Sequence, residues 1–310
     1  MLPTPLSVLS IGSLVDRGRG DERAYQIHSR FQKVLNLVDA QGSLLTLLGS
    51  DFQDFPTAVR VALPAGWDWQ RGLDPSQIVI LRDSVLQGIT WSVDLNYAPR
   101  WEPASPTAQA AGSLNAVLAS SWVLADQLAQ YCRHHGVRSA LQLQPGWPGR
   151  KPRLNVADER SAVEYTVSEL IGFGSGLTPD GDDYLLGYLA ALWPWQRFTA
   201  IANHLKLMQD AVKLQLHRTT SISGHFLTLA LQGHYSQPID HLTTVLMQGD
   251  SLKDVVAASN KVMEFGSASG ADCLAGYING INALETTSQP QITTTRFSVF
   301  SLKIIWHSMH

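Results

Sequence analysis

The sequence GFGSGLTPDGDDYLLGYLAAL, residues 172–192, decides how the carboxyl-terminal half of the chain is built. Its first part is rich in glycine, which permits tight turns and close approach of the backbone. Thr178 and Pro179 predict a helix start, because a threonine oxygen caps free N–H groups and proline suits the first helical position. The first helical turn then holds three aspartates, where the helix dipole favours negative charge: Asp180, Asp182 and Asp183. An apolar helix follows from Tyr184.

Two explanations fit three aspartates at the start of an apolar helix. They can be ordinary residues of a helix start, where aspartate is common. They can also form a functional site, because a buried carboxylate is tolerated only with a metal ion, hydrogen-bond donors or a proton. The glycine-rich loop before them and the apolar helix after them favour the site.

A second copy of the pattern lies in residues 266–278, GSASGADCLAGYI. In each copy a Gly-Ser pair is followed by an aspartate and, four residues later, by a glycine on the same helix face. The matched residues are Asp183 with Gly187, and Asp272 with Gly276. Glycine in a helix interior costs about 0.5–1 kcal/mol relative to alanine, so its repetition indicates close helix packing. We therefore expect a pseudo-twofold pair of loop–helix units, residues 174–190 and 266–282, that brings both aspartates to one pocket.

The expected pocket is polar and suits a small anion together with a cation. Two helix starts favour an anion, whereas the aspartates oppose it unless a cation intervenes. Mg²⁺ typically takes one or two protein carboxylates plus a substrate phosphate. The predicted metal ligands, which are also the predicted catalytic residues, are Asp182, Asp183 and Asp272.

Hydroxyl groups cluster at another predicted helix start, residues 218–223, RTTSIS. Such groups can be plain caps. Together with Arg218 and free backbone N–H groups they also suit a bound anion. The hydroxyl residues expected around the ligand are Thr178, Thr219, Thr220, Ser223 and Ser269.

Composition limits the class of protein. Of the 310 residues 45% are hydrophobic and 16% charged, so the chain can bury a substantial core. The net charge of −3, with no block of like charges, gives no reason to expect nucleic acid or a membrane surface as a partner. Two cysteines without disulfide or zinc spacing predict a cytoplasmic protein. No basic region precedes the short apolar stretch at the amino terminus, and no apolar run reaches ~20 residues, so neither a signal peptide nor a membrane span is expected.

The period of the hydrophobic pattern changes near residue 104 and predicts an α+β protein. Residues 1–104 read as short strands, including a hairpin over residues 34–48, and predict an antiparallel β barrel or sandwich. Residues 105–284 predict a mainly helical domain that holds both Asp motifs. Residues 285–310 are Thr-rich and partly alternating, which predicts either an added strand or a poorly packed tail. The tryptophans of the first part are expected to pack a small β core rather than a ligand: Trp67, Trp69, Trp91 and Trp101.

Three blocks of the helical half resemble a known family. They are residues 172–192, TTSISGHFLTLALQGHYSQPI at residues 219–239, and EFGSASGADCLAGYINGI at residues 264–281. In this order they are similar to the AllH-type subunit of oxamate carbamoyltransferase and its uncharacterised relatives. The early stretch IHSRFQKVLNLVDAQGSLLTLL, residues 27–48, also resembles the amino-terminal region of that family. The chain departs mildly from the pattern at Ser175, where proline is common, and at the loop of residues 268–271.

The resemblance implies a role in anaerobic breakdown of purine-derived allantoin. The implied reaction moves a carbamoyl group from oxalurate to phosphate, giving oxamate and carbamoyl phosphate. The implied partners are the small anionic substrates and other subunits, one of which resembles acyl-CoA synthetases. The residues that match the three motifs, and would bind the ligand, are Gly174, Gly176, Thr178, Asp182 and Asp183, then Thr219, Thr220 and Ser223, then Ser269, Gly270 and Asp272.

Three functions are consistent with the sequence. The first is a carbamoyltransferase subunit that positions its substrates and stabilises their charge, since no nucleophile–base pair can be assigned. The second is a non-catalytic subunit that binds a small anion or nucleotide and holds partner chains. The third is a stand-alone metal-dependent hydrolase with paired aspartates.

Overall fold

The computed structural model describes residues 3–104, 114–137 and 154–288. A β barrel comes first, and helices form the rest of the described chain. The predicted α+β class, with a barrel ahead of a mainly helical region, is confirmed.

Eight strands form the closed barrel: β1 (Thr4–Ile11), β2 (Arg23–Arg30), β3 (Val34–Val38), β4 (Leu44–Gly49), β5 (Ala58–Ala62), β6 (Ile78–Arg82), β7 (Val85–Gln87) and β8 (Trp91–Asp94). Their order around the barrel is β1-β5-β4-β3-β2-β6-β7-β8. Most neighbours are antiparallel, but β4 pairs with β5, and β1 with β8, in parallel. The predicted antiparallel pairing therefore holds for the barrel except at these two pairs.

Two details of the barrel match the sequence. β3 and β4 form the hairpin predicted over residues 34–48, with Gly42 at a φ of 82° in its turn. The rings of Trp67 and Trp69 lie 5.2 Å apart, and those of Trp69 and Trp91 5.3 Å apart, edge to face in both pairs. Trp69 and Trp91 are buried in the barrel core, so they pack that core as expected.

The helices are α1 (Trp69–Gly72) within the barrel region, then α2 (Leu114–His135), α3 (Arg160–Leu170), α4 (Asp180–Leu192), α5 (Thr199–Gln215), α6 (Ser221–Ala230), α7 (Gln237–Gln248), α8 (Leu252–Met263) and α9 (Ser269–Ser288). α4 is buried on nearly every side, and among the described elements it makes its largest contact with α9. The two Asp motifs therefore start the two central helices.

α4 and α9 cross at glycines. A Cβ added to Gly187 would lie 1.8 Å from the carbonyl oxygen of Cys273, and one added to Gly276 would lie 1.9 Å from that of Tyr184. Only glycine permits backbones to approach so closely. These reciprocal contacts are the close crossing expected from the repeat, while the twofold relation itself stays a prediction.

The start of each central helix packs on the end of the helix before it. A Cβ on Gly181 would lie 2.0 Å from the carbonyl oxygen of Leu170 at the end of α3. A Cβ on Gly270 would lie 2.2 Å from that of Val262 at the end of α8. The sequence carries this signal, since each glycine stands two residues before its motif aspartate.

The barrel reaches the helical region through the loop between β4 and β5. In that loop the backbone carbonyl of Asp54 accepts a hydrogen bond from the Gln237 N–H at 2.9 Å. The Phe55 ring lies 4.7 Å from the Phe226 ring of α6. The loop thus brings an aromatic side chain of the barrel region close to the helix starts.

Only part of the chain around the predicted domain boundaries lies within the described residues. Residues 105–113 lie outside them, and the division at residue 104 stays a prediction. α9 continues through the first four residues of the predicted tail, to Ser288, and residues 289–310 lie outside the described residues. None of the described helices is long and apolar enough to cross a membrane.

Candidate functional site

Asp182 ties the glycine-rich loop to the start of α6. Its Oδ1 accepts a hydrogen bond from the Gly172 N–H at 2.9 Å. Its Oδ2 accepts one from the Ser223 hydroxyl at 2.7 Å and another from the Thr219 hydroxyl. Because the side chain is 2% exposed and these donors surround both oxygens, Asp182 holds the loop in place.

The hydroxyl groups at the start of α6, which were predicted to bind an anion, are already engaged in hydrogen bonds within the protein. Thr220 caps α6, since its Oγ1 accepts from the Ser223 N–H at 3.1 Å, and its hydroxyl donates to the carbonyl of Leu177. The three predicted hydroxyl residues therefore connect the loop to α6. A ligand would have to displace these bonds to use them, and their role as ligand-binding residues stays a prediction.

Thr178 and Pro179 behave differently from their prediction. Pro179 itself occupies the N-cap of α4, and no side chain caps the helix. The Thr178 hydroxyl instead pairs with the Ser269 hydroxyl at the start of α9, with the two oxygens 2.9 Å apart. The expected cap is wrong because this bond to the second motif takes the hydroxyl away from α4. The same bond brings the two helix starts side by side.

Asp183 differs from Asp182 although the two are adjacent. Its side chain is 6% exposed, and its Oδ2 has no hydrogen-bond partner within the described ranges. Burial raises the pKa of this carboxyl well above its ordinary value. The hydroxyls of Ser269 and Thr178 oppose that shift by hydrogen bonding, and the charges of Asp182 and Asp180 add to it. Burial therefore favours the protonated form of this carboxyl.

Asp272 of the second motif is likewise a buried carboxyl with a raised pKa. It is fully buried, and burial raises its pKa to about 9, with further contributions from the charges of Asp180 and Asp183. Burial also raises the pKa of Asp180, which is half-buried in the first turn of α4. The carboxyls of the two motifs thus lie within electrostatic reach of one another. That they share one ligand stays a prediction.

A small cavity opens beside Asp183. Its volume is about 50 Å³, and the α9 residues Ser269, Gly270 and Cys273 line it with Asp183. Most of the remaining wall is apolar and includes Phe55, Leu186, Phe226, Ile239, Val262 and Phe265. Among the described residues that line it there is no lysine or arginine. One water molecule needs about 10–15 Å³ of such cavity volume, so the cavity takes a group of a few non-hydrogen atoms and is too small to enclose a whole nucleotide.

The loop glycines predicted to bind the ligand have clear conformational roles. Gly174 has a φ of 107°, and a Cβ there would lie 2.7 Å from the backbone nitrogen of Asp180. Gly176 has a φ of 93° with open space around it. Gly270 packs on α8 and also lines the cavity. Contact of Gly174 or Gly176 with a ligand stays a prediction.

Sequence reasoning missed the aromatic wall of the cavity. Phe55 comes from the barrel region and Phe226 from α6, so no local spacing connects them with Asp183. Phe265 carried a usable signal, because Phe173-Gly174-Ser175 repeats as Phe265-Gly266-Ser267 ahead of the two motifs.

The donor set near the aspartates offers little to a metal ion. Across the described ranges, no group of three or more His, Cys, Asp or Glu side chains is arranged to hold one. The oxygens of Asp182 already accept three hydrogen bonds. The Mg²⁺ site stays a prediction, and the burial of Asp183 favours a proton on that carboxyl instead.

Two family models match the chain over most of the described structure. The model described as oxamate carbamoyltransferase subunit AllH matches residues 170–281, and that of the AllH family N-terminal domain matches residues 7–100. The chain belongs to the AllH family. The name of the AllH family points to a subunit of oxamate carbamoyltransferase, and its two models cover the barrel and both Asp motifs. No solved structure matches the chain.

Proposed function

We propose that this AllH-family chain is a cytoplasmic subunit of a carbamoyltransferase that works in allantoin breakdown, and that the Asp183 cavity binds its substrate. The proposed reaction moves a carbamoyl group between oxalurate and phosphate. The single observation that carries the site is Asp183, a buried carboxyl that has one oxygen without a partner in the described ranges and that lines a cavity at two joined helix starts.

A neutral carboxyl suits the proton transfer that this reaction needs. The bond between the carbamoyl carbon and the oxamate nitrogen breaks, and a bond from that carbon to a phosphate oxygen forms. The phosphate loses a proton, and the oxamate nitrogen gains one. Asp183 can donate a proton to the departing nitrogen and take up the proton that phosphate loses, which is general acid–base catalysis. Asp272, also neutral by burial, would limit the negative charge around the bound anions.

The alternatives have less support. A stand-alone metal-dependent hydrolase needs a group of metal ligands, and the described residues do not supply one. A nucleotide-binding subunit needs a larger cavity than the one beside Asp183. A subunit that binds a small anion without catalysing its reaction is the stronger competitor, because it would use the same cavity.

The test is turnover by the assembled enzyme, made from this chain and its partner subunits. Carbamoyl phosphate formation from oxalurate and phosphate should fall at least about 100-fold with Asp183→Asn, which keeps the shape but removes the acid. The matched control is Asp126→Asn, at an exposed position on α2, which should leave turnover unchanged. Turnover that survives Asp183→Asn would contradict catalysis by Asp183, and turnover without this chain would contradict the whole proposal.

A further inference from the structure

The side chains that line the Asp183 cavity determine which chemical group of a substrate can enter it. A charged group that enters it would leave water for a mainly apolar wall without a lysine or arginine. His234 is the one histidine among the described lining residues, and burial lowers its pKa, which disfavours its charged form. The cavity therefore disfavours a carboxylate or phosphate and favours an uncharged group.

The hydrogen-bonding groups at the cavity narrow the choice further. A primary amide carries N–H donors, and the oxygen of a carboxyl side chain accepts a hydrogen bond. Asp183 lines the cavity and has one oxygen without a partner in the described ranges, so it can accept such a bond. Ser269, whose hydroxyl already pairs with Thr178, is placed on the same wall to hold the orientation of the carboxyl.

We infer that the cavity binds the uncharged carbamoyl or primary amide group of the substrate by hydrogen bonding to the Asp183 carboxyl, and leaves the anionic end of the substrate outside. The volume of about 50 Å³ fits a group of this size. The inference rests on the proposed function for the identity of the ligand, but it concerns recognition and not turnover.

The test compares oxamate with oxalate, which differ only in that the amide of the first is a carboxylate in the second. Titration calorimetry on the full chain should show oxamate binding at least about tenfold more tightly than oxalate, because a buried unpaired charge is costly. Equal binding of the two, tighter binding of oxalate once Mg²⁺ is added, or no binding of oxamate would overturn the inference.

Two variants at the same position sharpen the test. Asp183→Asn keeps a donor and an acceptor, so oxamate should bind within about threefold of the unaltered chain. Asp183→Leu has a similar size but neither group, and should lose at least about tenfold. Equal loss in both variants would overturn the inference, and unchanged thermal unfolding of Asp183→Asn verifies that its fold is intact. If oxamate binds in this pattern while the assembled enzyme keeps its turnover with Asp183→Asn, catalysis by Asp183 is contradicted and the recognition stands.

Discussion

The loops before α4 and α9 hold their helix starts in different ways. In the first unit, Asp182 accepts hydrogen bonds from the Gly172 N–H of the loop and from two hydroxyls at the start of α6. The second unit is three residues shorter between its Gly-Ser pair and its aspartate, and Ala271 stands at the position of Asp182. What the two units share is the glycine pair and one buried aspartate. Asp182 therefore serves to fasten the longer loop of the first unit, whereas the glycines and the buried aspartate that both units share form the site.

We expect the largest loss of stability from substitution of the glycines that the two units share. Replacing Gly187 or Gly276 by alanine forces α4 and α9 apart, because the added Cβ would overlap a backbone carbonyl. We expect each substitution to lower the free energy of unfolding by about 3 kcal/mol, measured by urea denaturation. Gly224→Ala in α6 is the control, since its Cβ would meet only side-chain atoms at 3.8 Å or more. That variant should be as stable as the unaltered protein or up to about 1 kcal/mol more stable. Equal effects at the three positions would contradict the crossing.

Asp182 should matter for stability more than its neighbour Asp180. Asp182→Ala leaves two hydroxyls and the Gly172 N–H without their acceptor, which should cost about 2 kcal/mol of unfolding free energy. Asp180→Ala, at a half-buried position, should cost less than about 1 kcal/mol. Urea denaturation of both variants makes the comparison. If Asp182→Ala unfolds like the unaltered protein, Asp182 does not fasten the loop.

The change of the unfolding free energy with pH should reveal the raised pKa of Asp272, the buried carboxyl of the second unit. The pKa of Asp272 is about 9 in the folded protein and near 3.8 when unfolded, so the folded state holds an extra proton between these values. Stability from this group is complete below about pH 4 and is lost as pH rises toward 9. Relative to the unaltered protein, Asp272→Asn should therefore gain at least about 1 kcal/mol of unfolding free energy from pH 5 to pH 8. The control is Asp126→Asn on the exposed face of α2, whose relative stability should not change with pH. A flat difference for Asp272→Asn would show that the carboxyl is ionised when buried.

Much of this arrangement could be predicted because it depends on local patterns. The hairpin over residues 34–48 follows from turn residues and hydrophobic period. The importance of Asp183 and Asp272 followed from a repeat that is visible in the chain. The bond between Thr178 and Ser269 and the position of Phe55 could not be predicted, since each depends on contacts between segments distant in sequence.

A crystal structure of the chain with oxamate tests the central claim most directly, because it locates the substrate group relative to Asp183. We predict that the amide group of oxamate lies in the cavity, with its oxygen and nitrogen about 2.5–3.2 Å from the two oxygens of the Asp183 carboxyl. Its carboxylate should point out of the cavity. Oxamate bound elsewhere with the cavity empty, or its carboxylate facing Asp183 across a metal ion, would contradict the account.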